Sequence, residues 1–461
     1  MKVRTTTRLH AIFVATSGLL AVPAAQADLT NVPGMTPIQA PTAEAIMGFC
    51  PPLNSLERTL TEQEALLARS CTKMVHTAIS RQTGESLSLD IGLSDAGLRD
   101  LLQAVAAEEM NAQNRTRTAT TDAPIVARLF ALRRSAGGAA LAGSSWDLNG
   151  RSVALADLLP TGSRGGGASA DGGLGGPWSV FVNGHYNWGK RDASLLENEF
   201  KFDDWGFVAG ADYRFSETTV AGAALNYSKS KADFRRDLGD VESRDLGLSL
   251  YASYARDNMY VDGFIGYSQV EFDTARRIVA PSTTAVEGFN STAKGSPDAD
   301  QISASIGTGY DWVREDVTVT PFARLDYLHM KVDAFRERES VHALGLDVRS
   351  RSVTSLQSAI GAQVMKAVSL ESGVLTPYLG VEWNHEFRND SSNIVAKYTH
   401  DPFNTFFAIP TESPDRNYYT LRAGLTSVYP SGVSAFANVD TVLGLRDTRS
   451  TSVTVGVRVE F

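Results

Sequence analysis

The sequence predicts an all-β membrane barrel of twelve antiparallel transmembrane strands, preceded by a small, mainly α-helical segment. Three observations carry that reading. Apolar residues recur at every second position in a series of runs between Trp178 and the terminal Phe461. The connections between these alternating runs are short and long by turns, as in transmembrane barrels. Beyond an N-terminal leader, no run reaches the roughly 20 apolar residues that a membrane-spanning helix requires. A chain that is exported without a helical anchor can enter a bilayer only as a closed barrel, which alone satisfies its backbone there.

The leader is read from Lys2, Arg4 and Arg8, the apolar stretch from Ala11 to Leu20, and the small residues Ala25-Gln26-Ala27. Residues 1–27 are therefore expected to be a signal peptide cleaved after Ala27. The remaining composition is that of a folded protein, with 43% hydrophobic and 21% charged residues over 461 positions. A net charge of -9 argues against nucleic acid as a partner. Cys50 and Cys71 are the two cysteines, and an oxidising compartment favours a disulfide between them over two unpaired thiols.

Residues 28–138 read as a short helical passenger, or as a periplasmic or plug segment. The stretch from 28 to 60, rich in Pro, Thr and Ala, is expected to be extended as far as Cys50-Pro51-Pro52. A helix then starts at Thr61, which forms a capping box with Glu64, with Leu60 placed as a hydrophobic staple. Leu67, Cys71, Met74, Val75 and Ala78 share one face of it. Ser94 caps a second helix, striped by Leu98, Leu101, Leu102 and Val105. A third starts near Asp122 with Pro124 in its first turn and carries Ile125, Leu129, Phe130 and Leu132. Arg128, Arg133 and Arg134 lie on this third helix, which Gly137-Gly138 ends. Helices with one stripe each must form a small bundle or pack on something else, and about 110 residues of this composition make a marginal independent domain. Residues 139–177 are glycine-rich and read as a flexible linker, not a phosphate loop, since no strand leads into them and no helix follows.

The barrel is expected to span residues 178–461. Its strands are read at 178–188, 205–215, 218–228, 245–255, 259–271, 301–313, 317–330, 353–365, 374–386, 417–429, 432–442 and 451–461. Ser216-Glu217, Arg256-Asp257-Asn258, Arg314-Glu315-Asp316 and Pro430-Ser431 are short turns, while 189–203, 229–244, 272–300, 331–352 and 387–416 are long polar loops. The turns then lie in the periplasm and the loops outside the cell. Trp178 and Trp188 are expected in the two interfacial girdles, with Tyr213, Tyr254, Tyr310, Tyr429 and Phe461 at the periplasmic ends and Trp205, Tyr327 and Trp383 toward the outer ends. Thr320-Pro321-Phe322 through Tyr327 repeats as Thr376-Pro377-Tyr378 through Trp383, and the prolines are expected at strand starts.

Gly210-Ala-Asp-Tyr-Arg-Phe215, Thr219-Val-Ala-Gly222, Gly309-Tyr-Asp-Trp312, the two Pro-aromatic strands and the terminal Phe461 together resemble the C-terminal translocator domain of bacterial autotransporters (type V secretion). The resemblance covers about 178 to 461. It implies a 12-stranded outer-membrane barrel whose pore holds a linker helix, through which the preceding segment is secreted. The last strand, with Val457, Val459 and Phe461, is similar to the assembly signal of such barrels. Partners implied are outer-membrane lipid, the barrel-assembly machinery and periplasmic chaperones, and a monomer is expected. The chain departs from the family in its passenger, which is short, helical and cysteine-bearing, where a long parallel β-helix is usual.

No catalytic constellation is found, and neither an enzyme activity nor a cofactor is expected. Asp212, Arg214, Arg324, Asp326, Glu382, Arg422, Asp440 and Arg458 face the lumen by alternation and are expected to pair there around water or a plug. His329 and His385 stand near outer strand ends, where a barrel hydrolase would keep its residues. Three readings follow: a translocator with a short helical passenger, a passenger-less pore or structural barrel with a periplasmic helical domain, and a barrel hydrolase. Residues 121–160 are hypothesised to plug the lumen, with the arginines of the third helix facing its acids.

The apolar alternation that ends at Phe461 generates one prediction. Removing Phe461, or replacing Val457 by Asp on the lipid face, should prevent insertion, since a charge near the midplane costs on the order of 2–4 kcal/mol. The heat-modifiable form in outer-membrane fractions measures this, and normal amounts in both variants would refute it.

Overall fold

The structure, a computed structural model, describes residues 27–106, 126, 129, 145–148, 151–154, 177–388 and 393–461. Arg128, Arg133, Arg134, residues 1–26 and most of the stretch 139–177 lie outside the described residues. Within 139–177, Ser145–Leu148 and Arg151–Ala154 pair as a two-stranded ladder, a local order that the linker reading did not anticipate.

Twelve strands close on themselves. They are β1 (Trp178–Arg191), β2 (Phe200–Ser216), β3 (Thr219–Phe234), β4 (Gly239–Arg256), β5 (Met259–Ala280) and β6 (Asp298–Tyr310). The second half comprises β7 (Val317–Val332), β8 (Arg351–Lys366), β9 (Gly373–Glu386), β10 (Asn417–Val428), β11 (Val433–Leu443) and β12 (Thr448–Glu460). Each pairs antiparallel with its neighbours, and β12 returns to β1 with Val457 opposite Val182 and Val459 opposite Val180. Phe461 completes the seam by donating its N–H to the Trp178 carbonyl at 3.0 Å. A short turn at Glu371-Ser372, between β8 and β9, joins those named from the sequence.

Leu246, Leu248 and Leu250 point outward and are half exposed, while Asp245, Ser249 and Ser253 point inward and are buried. This is the polarity of a barrel in lipid. Trp178, Trp188, Trp205, Tyr254, Tyr310, Tyr327, Trp383, Tyr429 and Phe461 all project from the outer surface.

Several strands outrun their expected ends on the long-loop side. β3 continues to Phe234, β4 begins at Gly239 and β5 reaches Ala280. There the alternation keeps its period and inverts its polarity. Phe200, Phe202, Phe234, Val241, Val270 and Phe272 face inward in one apolar cluster. Outside, Lys229 pairs with Glu242 at 2.9 Å and Arg244 with Asp273 at 2.8 Å. Beyond the membrane the outer face meets water and the inner face meets protein, so charges that read as loop are the solvent side of strands.

The inner wall near the short turns is not uniformly polar either. Phe181 lies over Gly210, Tyr251 over Gly222, Tyr260 over Gly309, Phe322 over Gly361, Tyr378 over Gly424 and Phe436 over Gly456. A Cβ at Gly361 would come within 2.7 Å of the Phe322 ring, so the ring occupies the space that only glycine leaves. The repeat acquires a reason here. Pro321 and Pro377 do not sit at strand starts; each lies inside its strand where the ladder to the previous one breaks. Phe322 pairs with Gly309 but Val319 with Trp312, and Tyr378 pairs with Met365 but Leu375 with Val368. An absent N–H is least costly at such a break.

The stretch 28–60 is not extended. Residues Leu29–Asn31 form a 3-10 turn and Gln39–Asn54 form helix α1. Pro41 falls in the first turn, where its missing N–H has no intrahelical partner to lose. Pro51 and Pro52 fall in the last turn, just before the helix stops at Asn54. Helix α2 (Glu62–Thr83) starts on the expected capping box and ends at Gly84, whose φ of 77° is the left-handed cap that glycine supplies. Helix α3 (Asp95–Ala104) is capped by Ser94. A disulfide joins Cys50 on α1 to Cys71 on α2 with Cα atoms 5.9 Å apart. In the chain-entropy model, closing a loop of this length contributes about 3 kcal/mol.

These helices do not form a bundle of their own. Their stripes share one core with Ile278, Ala280, Phe289, Leu344, Leu346, Val348, Ile394, Tyr398, Phe407 and Ile409, all on the long-loop side of the barrel. Those connections are structured. Phe289–Gly295 pairs back on β5, and Phe335–Arg336, Leu346–Val348, Asn393–Tyr398 and Phe407–Pro410 form a four-stranded sheet in that order. The helical layer and the loop layer therefore stack across the outer mouth.

Candidate functional site: the lumen and its outer mouth

Lumen-facing charges gather in two groups. On β7, Arg324 Nε donates to Asp326 Oδ2 at 2.8 Å, and its Nη1 lies 3.5 Å from Glu382 on β9. Arg422 on β10 donates from Nε to Asp440 on β11 at 2.7 Å. Ser305 Oγ donates to Asp326 at 2.6 Å. The second group straddles the seam. Arg458 on β12 lies 3.5 Å from Asp212 on β2 and donates from Nε to Ser179 Oγ at 3.1 Å. Tyr251 Oη donates to Asp212 at 3.0 Å, Arg458 pairs with Glu460, and Arg214 Nη2 stands 4.0 Å from Glu460. All eight lumen charges are thus in ion pairs, Asp326 with Arg324 of its own strand and the others across wall strands. Buried charges need such partners, because desolvating one alone costs several kcal/mol.

Between these groups the wall is apolar. Phe181, Val208, Val220, Ala224, Tyr251 and Phe264 form one buried cluster with Val126 and Leu129. Val126 and Leu129 are helical and 7% and 3% exposed. Both belong to the chain before the barrel and lie against its inner wall at this level. Val126 and Leu129 also line a small cavity with Tyr260, Asp262, Phe322 and Arg324.

At the outer mouth, wall and loop side chains hold the end of α3. Arg276 on β5 is 2% exposed and donates to the Ala104 carbonyl at 2.8 Å and to the Leu344 carbonyl at 3.0 Å. It pairs with Glu337, whose carboxylate also accepts the Leu346 N–H at 3.0 Å. Tyr398 Oη reaches the Val105 carbonyl at 3.4 Å. Carbonyls at a helix C-terminus have no intrahelical donor, and a cation there is doubly favoured. On the far side of the mouth, Arg191 pairs with Glu197 and Glu412 and donates to Thr448 Oγ1 at 2.7 Å. Arg276, Glu337 and Tyr398 were missed because they lie in stretches read as polar loop. The signal was present, since Val270, Phe272, Thr274, Arg276 and Ile278 continue the alternation of β5.

His329 and His385 lie elsewhere. They follow Tyr327 and Trp383 on the outward face, with Nδ1 at 2.9 Å from Thr354 Oγ1 and at 2.9 Å from Asn417 Oδ1 respectively. A hydrolase lining its mouth with histidines would need them inward. Among the described residues no cluster of His, Cys, Asp and Glu could hold a metal ion.

His342 ties the loop layer to α2. Its carbonyl accepts from Ser70 Oγ at 2.9 Å, its Nε2 accepts the Asn290 N–H at 3.3 Å, and its ring meets Phe289 edge-on at 4.9 Å. Burial pushes its pKa below the ordinary value, with Glu339 opposing, Lys73 adding and Glu287 opposing. The imidazole is therefore neutral in the fold. Its contribution is intact above the unfolded value of about 6.5 and is lost as pH falls through the folded one. Amide protection factors of α2 and of Asn393–Tyr398, referred to the intrinsic exchange rate at each pH, should fall as pH drops below about 6.5, and His342→Gln should flatten that dependence. An unchanged pH profile in the variant would assign the effect to other groups.

Comparison with known proteins gives a consistent picture. The family described as Autotransporter beta-domain matches residues 180–440. Outer membrane protein A of Rickettsia conorii is 26% identical over 205 residues, covering 43% of this chain and 10% of the relative. An extracellular serine protease of Serratia marcescens is 22% identical over 212 residues, covering 46% of this chain and 19% of the relative. The match thus spans only a tenth to a fifth of those curated relatives. Among solved structures, the translocator domain of the autotransporter NalP from Neisseria meningitidis superposes with a TM-score of 0.49 at 20% identity, covering 63% of this chain and 90% of that one. The β domain of the Bordetella autotransporter BrkA gives 0.43 at 16% identity, covering 62% and 100%.

Proposed function

The chain belongs to the autotransporter β-domain family of the Gram-negative outer membrane, and from that membership we propose that it translocates and displays its own N-terminal helical segment. In this reading residues 28–106 stand at the cell surface, and the chain from Ala106 to Trp178 runs back through the pore. One observation carries it. The helices up to Ala106 pack on the long loops, whereas β1 starts at Trp178 beside the short turns. Long loops are extracellular and short turns periplasmic in such barrels. The intervening stretch must therefore pass from one end to the other, and Val126 and Leu129 on the apolar inner wall support passage through the lumen.

The parts then have distinct roles. The last strand, with Val457, Val459 and Phe461, is what the barrel-assembly machinery reads after periplasmic chaperones deliver the chain, cleaved at Ala27. The segment 121–160, with Arg128, Arg133 and Arg134, remains as a plug. The paired charges of the wall keep the barrel rigid around it. In this reading the barrel itself does no chemistry.

Two measurements test this. Ser86 lies in the exposed turn after α2. Ser86→Cys should react with a membrane-impermeant maleimide on intact cells, and reaction only after permeabilisation would favour a passenger-less barrel with a periplasmic helical domain. For the plug, planar-bilayer conductance should rise from a nearly closed state to a steady open pore when residues 28–160 are deleted. Equal conductance before and after the deletion would put the segment outside the lumen.

A further inference from the structure

We propose that the N-terminal helices and the long loops are one co-folded cap, so that residues 28–106 are a lid retained by their own barrel and are not cargo for release. This rests on the surface reading above and goes beyond it, because a displayed segment could equally be an independent module on a tether.

The core of the cap cannot be divided between the two sides. Leu67, Cys71 and Met74 of α2 are fully buried, and so are Leu344, Ile394 and Ile409 of the loops. Both sets belong to one cluster. Phe49 of α1 packs on Tyr398 at 5.2 Å between ring centroids, and Tyr398 stacks on Phe407 at 5.8 Å. Without the helices, the loop layer would present a contiguous apolar face to water, which soluble surfaces rarely carry. Without the loops, the helices would lose the other half of their core, and a segment this small is marginal by itself.

The polar groups make the same case. Lys73 is 3% exposed in the middle of α2; its ammonium lies 3.4 Å from the Gly288 carbonyl and 5.2 Å from the Phe289 ring centroid. Ser70, 2% exposed, donates to the His342 carbonyl. On a free helix bundle these would be solvated surface groups, but here they are satisfied by loop backbone. The α3 carbonyls held by Arg276 and Tyr398 are tied in the same way. Separation would return these groups to water, so the bonds mainly fix how the two layers fit while the shared apolar core holds them together. Folding of the loops on the arriving helices thus completes both layers at once and closes the outer mouth.

The test cuts the chain without removing anything. A protease recognition sequence inserted between Glu85 and Ser86, both exposed, separates α1 and α2, still joined by their disulfide, from α3 and the barrel. Intact cells bearing the full chain are treated with that protease, washed, and then exposed to urea. The cut fragment should stay with the cells through physiological washes and leave in urea. Adding Leu344→Asp, or the milder Leu344→Ala, should raise the fraction lost in the first wash by about fivefold or more, because each damages the loop side of the core only. Leu195→Asp, on an exposed loop residue outside the cap core, should change nothing. Immediate release of the unsubstituted fragment into the medium would overturn the cap while leaving surface display intact. Cutting that occurs only in permeabilised cells would overturn the surface reading, and the cap with it.

Discussion

The structure depends first on the seam between β12 and β1. In hydrocarbon an unpaired backbone N–H or C=O costs several kcal/mol, so a sheet in a membrane must have no edge. The terminal strand meets that demand along its whole length, from Thr448 opposite Arg191 to Glu460 opposite Ser179. Closure with an even number of strands also decides geography. Trp178 and Phe461 fall at the same end, so whatever precedes Trp178 enters from the short-turn side. The helices packed on the opposite end are thereby separated from β1 by the full height of the barrel.

A single two-residue period does two different jobs along these strands. At the level of lipid, Leu246, Leu248 and Leu250 face out while Asp245 and Ser249 face in. Above it the apolar side is inward, at Val241, Val270 and Phe272, and the outer face carries ion pairs. The backbone does not change; the surroundings do. Near the short turns a third arrangement appears, in which inward aromatics lie on glycines of the neighbouring strand and fix the strands' register to one another.

Polar chemistry in the mouth follows from the same exclusion of water. Arg276 and Glu337 are almost completely buried and satisfy each other together with carbonyls and an N–H of the cap. Such a pair adds little net stability over an apolar alternative but penalises any arrangement that removes one partner. It therefore specifies where α3 ends.

The sequence by itself determined the barrel, its strand number, its turn and loop ends, the capping box at Thr61 and Glu64, and the pairing of Cys50 with Cys71. Each follows from a local periodicity or a local chemistry that short stretches express on their own. Its Pro, Thr and Ala content makes Gln39–Asn54 read as extended, yet the prolines fall in a first and a last turn that accept them, and β3 and β5 run past their expected ends because the charges there face water. The cap was not legible at all. Leu344, Ile394 and Ile409 are scattered through long connections without a period, and their burial exists only once α1, α2 and α3 lie over them. Which apolar residues become core is decided by what they meet, and here the meeting is between residues more than 200 positions apart, as Ser70 and His342 are at 272. Tertiary structure alone supplies that contact.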